Sequence, residues 1–245
     1  MRILTAILLL SSFALAQGGG GKAGFGGKAG FGGGASGGGS NPAFVQGAAN
    51  HTSSGTTVAV TVSAIGAGDG VFVFCIGSST CTVPTATGET FSTATGTSGC
   101  QNFGGDNVQC WWTTSAVGGE TTVNCSAGSG DIRCLVVEFT RPQNLATPKD
   151  AGGNSFNSGA TSYTVSTSAA ITNANDFVID CFASNALGNN QFTLTGGFTS
   201  AASSVDAFGQ ARCGYLVTSS TGTQTGTATA STSMRATGVI VAFKP

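Results

Sequence analysis

The chain has 245 residues, a formal net charge of −1 and only 8% charged residues. This composition lacks the basic profile that nucleic-acid-binding proteins need, and it excludes electrostatic capture by anionic membranes as a main mechanism. We therefore expect no nucleic-acid partner, and we expect solubility to come from Ser, Thr, Asn and Gly.

The N-terminus predicts a secretory signal peptide over residues 1–16. Arg2 precedes the short apolar run from Ile3 to Leu10, and the small residues of Ala14–Ala16 form a cleavage site. The apolar run is too short to span a bilayer. We expect cleavage after residue 16 and a protein secreted to the extracellular space or the cell surface, without membrane insertion.

Residues 17–40 are nearly all glycine, and the sequence Gly-Gly-Lys-Ala-Gly-Phe occurs twice within them. Such a segment cannot bury enough apolar area to offset the entropy lost on ordering. It predicts a flexible tether. The alternative is an adhesive arm whose Phe and Lys pairs contact a surface or another copy of the chain.

The second half of the remaining chain repeats the first. Ala64–Cys75 matches Ala170–Cys181, and Leu135–Phe139 matches Val239–Phe243. The repeat predicts two half-units of short strands that pack as one pseudo-symmetric body.

Hydrophobic periodicity predicts strands throughout and no helix. Val58, Val60 and Val62 alternate with small or polar residues, which is typical of a half-buried strand. The run from Val71 to Ile76 is continuously apolar, which is typical of a central strand covered on both faces. The pattern predicts an all-β antiparallel β-sandwich of jelly-roll or immunoglobulin-like type.

Two arrangements of the halves are compatible with the repeat. The link over residues 141–159 contains two prolines and several glycines and could separate two domains. Each half offers only about five strands, however, and Val239–Phe243 needs cover on both faces. We favour one sandwich domain over 41–245 with interleaved halves, about 41–140 and 160–245.

Eight cysteines in a secreted chain predict disulfides. The only two cysteines of the second half are expected to pair, and the repeat predicts an equivalent pair in the first half. Cys125 and Cys134 flank a predicted hairpin turn, which leaves Cys81 and Cys100 as the last pair. No spacing fits a zinc site, so we expect neither a metal nor another cofactor. The predicted bonds are Cys75–Cys110, Cys81–Cys100, Cys125–Cys134 and Cys181–Cys213.

No motif indicates catalysis. The single histidine, His51, would have to serve any Ser-His-Asp arrangement, and its context is more typical of a loop. Glu138 and Asp180 each interrupt an apolar strand, which places them on the solvent face of an edge strand or in a cleft. The other carboxylates mostly stand beside Gly, Asn or Ser, as turn residues do. We expect no enzymatic activity and no catalytic residues.

Three patterns could contact other molecules. Trp111 and Trp112 face opposite sides of a strand, so we expect one in the core and the other exposed or under a loop. Alternating threonines over Thr221–Thr229 share one face, either an ordinary solvated face or a face for ice or a crystalline polymer. Asn50 and Asn124 begin N-glycosylation patterns.

The order of four short motifs resembles secreted bacterial β-sandwich surface modules. These motifs are Val71–Phe74, Leu135–Phe139, Gly197–Thr199 and Val239–Lys244. The resemblance covers residues 41–244 and implies an extracellular sandwich with no established catalytic residues.

Together these features predict a secreted, disulfide-stabilised structural or adhesion module of the cell surface or extracellular matrix. The alternative is a carbohydrate-binding module or a glycan-active protein. Surface glycans or other extracellular proteins are the expected partners. A groove with two convergent carboxylates and an aromatic platform would favour the alternative, but no ligand-binding residue can be assigned from the sequence.

Overall fold

The computed structural model describes residues 41–93, 107–140, 147–184, 191–207 and 209–245. The predicted signal peptide and tether lie outside these ranges. The residues from Gly39 to Pro245 form one compact unit. Within the described ranges all regular structure is β, in thirteen strands: β1 Phe44–Thr52, β2 Thr57–Thr61, β3 Gly70–Gly77, β4 Ser92–Thr93, β5 Asn107–Thr113, β6 Thr122–Ser126, β7 Ile132–Phe139, β8 Lys149–Ser166, β9 Phe177–Ser184, β10 Thr193–Thr195, β11 Thr199–Asp206, β12 Gly209–Val217 and β13 Thr225–Phe243.

Each half of the chain supplies one main sheet of an antiparallel sandwich. The first sheet has the order β1-β7-β3-β5-β4, and the second has β10-β13-β9-β12-β11, with β8 paired to β13. The predicted fold class is confirmed, but the strands of the two halves are not interleaved. The repeat equates β7, β3 and β5 with β13, β9 and β12, and these occupy matching places in their sheets. Pseudo-symmetry of the halves stays a prediction, which this matching order supports.

The inner faces of the two sheets form the central core. Phe72 and Phe139 from the first sheet pack with Phe177 and Phe243 from the second, and all four are fully buried. The rings of Phe139 and Phe177 stack with centroids 4.5 Å apart, a geometry that adds to the free energy gained by burial. Residues from both halves therefore build this core.

A further layer covers the outer face of the first sheet. β2 and β6 form a two-stranded sheet, and Val58, Val60 and Val123 pack on Val71 and Val73. The half-buried strand predicted from the alternating valines is β2, and the fully buried strand predicted at Val71–Ile76 lies in β3, so both predictions are confirmed. The strand covered on both faces is β3.

The second sheet is covered by its own longest strands. β8 and β13 pair over most of their length, and their far ends fold back over the outer face. Gly153 permits this, because a Cβ there would come within 1.9 Å of the carbonyl oxygen of Ser166. Residues 149–159 therefore lie in β8 and form no linker, while 141–146 lie outside the described residues.

The structure confirms two predicted disulfides, Cys125–Cys134 and Cys181–Cys213. It replaces the predicted Cys75–Cys110 and Cys81–Cys100 bonds with Cys75–Cys81. Cys110 is also disulfide-bonded, and Cys100 lies outside the described residues.

The pairing predicted from the repeat fails because of a one-residue difference in register. In the second half, Cys181 lies directly opposite Cys213. In the first half, Cys75 lies opposite Gln109, and Cys110 lies opposite Phe74. A shift of one residue turns a side chain to the other face of a sheet. Cys110 therefore faces the central core while Cys75 faces the covering layer.

The predicted hairpin between β6 and β7 is also wrong. β6 pairs with β2, and β7 pairs with β1 and β3. The turn between β6 and β7 carries the chain from one layer to the next. The Cys125–Cys134 bond therefore joins the covering layer to the first sheet instead of joining two strands of one hairpin.

Candidate functional site

An open groove lies in the layer that covers the first sheet. Residues 85–87 form one wall, and residues 118–122 with Asn124 form the other. Its larger part has a volume of about 420 Å³, and the part beside it has about 270 Å³. We refer to these residues together as the groove.

Two disulfides hold the walls in place. Cys75–Cys81 anchors the segment that leads to Thr85, and Cys125–Cys134 anchors β6 next to Asn124. Thr85 and Asn124 exchange two backbone hydrogen bonds, of 3.0 and 2.9 Å. The chain around Thr85 therefore lies beside β6 like a third strand, and the wall positions are fixed by bonds to the sheet below.

A pair of carboxyl groups lies next to the groove, and one of the two residues, Glu120, is among those that line it. Glu120 is 8% exposed, and its Oε2 accepts no hydrogen bond from the described residues. Glu89 is hydrogen-bonded to Glu120 and accepts hydrogen bonds from the backbone N–H groups of Val117, at 2.5 Å, and Gly118, at 3.5 Å. Burial, aided by the neighbouring Glu120, raises the pKa of Glu89. Glu89 therefore keeps its proton to higher pH than an ordinary glutamate does.

The spacing of this pair decides what it can do chemically. Glycoside hydrolases separate their two carboxyl groups by about 5–5.5 Å or 6.5–9.5 Å, so that the scissile bond and a water fit between them. Two carboxyl groups in direct hydrogen-bond contact leave no such space. Glu89 and Glu120 are therefore poorly placed to cleave a glycosidic bond.

The two carboxylates singled out from the sequence do not converge. Glu138 lies on the outer face of the first sheet and accepts hydrogen bonds from Gly66 N, at 2.7 Å, and Gln46 Nε2, at 2.5 Å. Asp180 lies on the outer face of the second sheet, where burial raises its pKa to about 7. Both side chains are buried, so the expected solvent-facing position is wrong for both.

Two carboxyl pairs that the sequence did not reveal each include a residue just before a central strand, Asp69 before β3 and Asp176 before β9. Burial and the neighbouring Glu138 raise the pKa of Asp69 to about 6. Burial and the neighbouring Asp150 raise the pKa of Asp176 to about 8. Thr172, which the repeat equates with Gly66, donates its backbone N–H to Asp150 at 2.5 Å. Each pair lies at the start of a central strand, which indicates a role in holding the preceding loop.

His51 is a strand residue and part of an ionic network, not the loop residue that was expected. Its Nε2 lies 3.4 Å from Asp206 Oδ2, and its side chain is 40% exposed. Asp206 also accepts a hydrogen bond from Arg133, at 2.6 Å, and Arg133 donates to Asp131 at 2.5 Å. The Arg133 side chain is fully buried. The network joins β1 and β7 of the first sheet to β11 of the second.

Neither tryptophan offers an exposed platform for a sugar ring. Trp111 is buried in the covering layer. Trp112 faces the central core, where its ring meets that of Phe243 at 5.7 Å in an edge-on contact. The two side chains do face opposite sides of β5, as the sequence predicted, but both contribute to packing.

The alternating threonines lie on an outward face of the folded-back layer. Thr225, Thr227 and Thr229 occupy β13, with β10 on one side and β8 on the other. The facing positions on those strands also carry hydroxyl groups, and most of these side chains are exposed. We refer to this set as the hydroxyl face: Ser162, Thr164, Ser166, Thr193, Thr195, Thr225, Thr227 and Thr229.

The described residues contain no helix that is long and apolar enough to cross a bilayer. The same residues contain no group of three or more His, Cys, Asp or Glu side chains placed to hold a metal ion.

Comparison of the chain with protein-family models, with curated proteins and with solved structures gives no match. The function is therefore argued from the geometry of the chain itself.

Proposed function

We propose that this chain is a secreted, disulfide-stabilised structural module that adheres to surfaces in the extracellular matrix or at the cell surface. The observation that carries the proposal is the hydroxyl face. Its side chains project from three adjacent strands, with Thr193 opposite Thr229 and Thr229 opposite Ser162. Neighbouring strands are about 4.8 Å apart, and alternate residues along a strand are about 7 Å apart.

The chemistry of this face suits an uncharged partner. Its members are uncharged hydroxyl side chains, each able to donate and to accept a hydrogen bond. Some of these groups already bond to each other, as Ser166 and Thr225 do at 2.9 Å. Each single contact made by such a face contributes little binding free energy, but the contributions of many weak contacts on a rigid sheet add up.

The disulfides support an extracellular location, because such bonds persist in oxidising compartments. The proposal also holds that the protein is not an enzyme. In support, Glu138 and Asp180 are buried on opposite outer faces, and Glu89 and Glu120 lie too close together to flank a glycosidic bond.

The test is retention of the secreted, oxidised protein in the extracellular matrix of the cells that express it. Replacing Thr225, Thr227 and Thr229 by Lys should release most of the protein into the medium, because three charges disrupt contacts with an uncharged surface. The control replaces Thr57 and Thr61, on the other outer layer, by Lys. Equal retention of both variants, or wild-type protein found only inside cells, would contradict the proposal.

A further inference from the structure

We propose that four cysteines under the covering layer form a switch that a small thiol triggers, in which two disulfides are exchanged for a single Cys75–Cys134 bond. The four are Cys75, Cys81, Cys125 and Cys134, and we refer to them as the cysteine cluster. The exchange releases the covering layer and leaves the central core closed. The switch is separate from the hydroxyl face, which lies on the other outer layer of the sandwich.

Cys75 and Cys134 are direct neighbours on adjacent strands although they are not bonded to each other. Cys75 on β3 is the register partner of Cys134 on β7, and both side chains face the covering layer. Directly opposite residues of an antiparallel pair have Cα atoms about 4.5 or 5.5 Å apart. Disulfides join residues whose Cα atoms are about 4.4–6.8 Å apart. A bond between these two cysteines therefore needs no movement of either strand.

The second half of the chain contains the same arrangement in its bonded form. Cys181 on β9 lies directly opposite Cys213 on β12, and a disulfide joins the two. The repeat equates Cys75 with Cys181. A bond between facing cysteines of neighbouring strands is therefore compatible with the central strands of this sandwich.

Cys81 is the sulfur that an external thiol reaches first. Its side chain is 4% exposed, whereas the other three cysteines of the cluster are fully buried. Its neighbours Thr80 and Thr82 are exposed. A small opening of this segment therefore presents Cys81 to solvent, while the other three sulfurs stay beneath the covering layer.

The exchange follows the ordinary chemistry of thiols and disulfides, in which a thiolate attacks one sulfur of the bond. The small thiolate attacks Sγ of Cys81, and the electron pair of the broken Cys75–Cys81 bond leaves on Cys75. The Cys75 thiolate then attacks Sγ of Cys134. The Cys75–Cys134 bond forms, and Cys125 leaves as a thiolate that takes up the proton lost by the small thiol.

A second molecule of the small thiol frees Cys81 from its mixed disulfide. Two small thiols are then oxidised to one disulfide, and one protein disulfide is reduced to the thiols of Cys81 and Cys125. The step between Cys75 and Cys134 is intramolecular, so no second thiol has to enter the buried face of the sheet.

The exchange changes which parts of the chain the bonds connect. In the oxidised protein, Cys125–Cys134 joins β6 of the covering layer to β7, and Cys75–Cys81 joins the segment that leads to the groove to β3. The new bond joins β3 to β7, which are already hydrogen-bonded to each other. No bond of the cysteine cluster then ties the covering layer to the first sheet. The central core contains none of these four cysteines and stays packed.

The first experiment treats the full-length oxidised protein with reduced glutathione in a non-denaturing buffer. N-ethylmaleimide traps the free thiols, and digestion at acidic pH is followed by peptide mapping without reduction. We expect a peptide that links Cys75 to Cys134, with the other two cysteines of the cluster alkylated. Alkylation of Cys75 and Cys81 with Cys125–Cys134 still intact would be plain reduction and would overturn the proposal. A cluster that does not react at all would also overturn it.

Two variants approach the exchanged bond from opposite sides. Cys81→Ala leaves Cys75 as a free thiol beside the Cys125–Cys134 bond, and Cys125→Ala leaves Cys134 as a free thiol beside the Cys75–Cys81 bond. Each should form Cys75–Cys134 without any added thiol. A variant that folds by circular dichroism and keeps its original bond would contradict the proposal. If neither variant folds, the glutathione experiment on wild-type protein decides the outcome.

The matched control is Cys213→Ala, which frees Cys181 on the face of the sheet that meets the central core. This control should leave both bonds of the cysteine cluster unchanged. Formation of Cys75–Cys134 in this control would show that any free thiol scrambles the bonds, and it would refute the specific exchange.

The structural effect is measured by hydrogen exchange. The double variant of Cys81→Ala and Cys125→Ala retains only the exchanged bond of the cluster. Its backbone amides in β6 should exchange at least about tenfold faster than in wild type, while those in β9 should be unchanged. If the double variant does not fold, glutathione-treated wild-type protein serves for the same measurement. Equal protection of β6 in the two bonding states would refute the switch.

Discussion

Cys75 on β3 lies directly opposite Cys134 on β7, yet the two cysteines bond to other partners. Cys75 bonds to Cys81, and Cys134 bonds to Cys125. All four side chains lie in the covering layer. Two adjacent disulfides therefore fasten both walls of the groove to the middle of the first sheet, and reduction is expected to loosen the groove before it unfolds the sandwich.

The first prediction concerns the connectivity of the disulfides and the contribution of each bond to stability. Peptide mapping without reduction should find Cys75 joined to Cys81. Removing the Cys181–Cys213 bond by Ala substitutions should cost about 4 kcal/mol, and removing Cys75–Cys81 about 2 kcal/mol, because the bonds close loops of 32 and 6 residues. Denaturant unfolding measures both values. A peptide linking Cys75 to Cys110, or a reversed order of the two costs, would contradict this prediction.

The second prediction concerns pH. The pKa of Asp180 is about 7 in the folded chain and about 3.8 for an ordinary aspartate. Between these values the folded state binds more protons than the unfolded state. The stability that this excess contributes is therefore complete below pH 3.8 and falls by about 1.4 kcal/mol per pH unit up to about pH 7. Asp69 and Asp176, whose pKa values are also raised, act in the same direction.

Thermal unfolding between pH 4.5 and 8 measures this dependence. Asp180→Asn should reduce the loss of folding stability with rising pH. At pH 8 this variant should be at least as stable as wild type, because no buried charge forms at position 180. Asp150→Asn removes the neighbouring carboxyl group that raises the pKa of Asp176, so this variant should also flatten part of the loss of stability with rising pH. A wild-type protein that becomes more stable from pH 5 to pH 7 would refute the assignment.

The third prediction concerns the ionic network between the sheets. Asp206→Asn leaves the buried Arg133 without one of its two carboxylate partners. The free energy of unfolding should therefore fall by about 3 kcal/mol. His51→Gln should cost less than about 1 kcal/mol, because its side chain is 40% exposed and water screens the pair. Urea unfolding compares the two variants. Equal costs would show that Arg133 does not depend on Asp206.

The fourth prediction is that the protein hydrolyses no glycan. A panel of polysaccharides and aryl glycosides should give no turnover with wild-type protein, for the geometric reasons given for the four carboxylates. If turnover does occur, Glu138→Gln tests the residue first suspected from the sequence. Turnover that disappears in that variant, while its circular dichroism spectrum is unchanged, would establish an enzyme.

The sequence predicts the strands better than their pairing. The apolar run at Val71–Ile76 indicates a strand buried on both faces, because local hydrophobicity reports burial directly. The partner of that strand depends on register, and a difference of one residue changed the bonding of Cys75. The repeat alignment shifts by 106 (181 − 75) at Cys75 and by 103 (213 − 110) at Cys110, so the connection between the two strands is three residues longer in the first half. Register is set after that connection, and the repeat does not specify it.

The groove was not predictable from the sequence, for a physical reason. Glu89 and Glu120 are separated by 31 positions (120 − 89 = 31) and stand among turn residues, where carboxylates are usually solvated. They meet only because the segment after Cys81 lies beside β6. Backbone hydrogen bonds to β6 and the Cys75–Cys81 disulfide hold that segment, and the sequence specifies neither.

Each half of the chain supplies one sheet, and this division determines when the core can fold during biosynthesis. The first sheet is complete at Phe139, but its inner face has no cover until β9, β12 and β13 have been made. The strand β13, which ends at Phe243, follows all the other strands in the chain and is central to the second sheet. The core therefore closes only after β13 has been made, and a truncation that removes β13 alone would be as damaging as one that removes the whole second sheet.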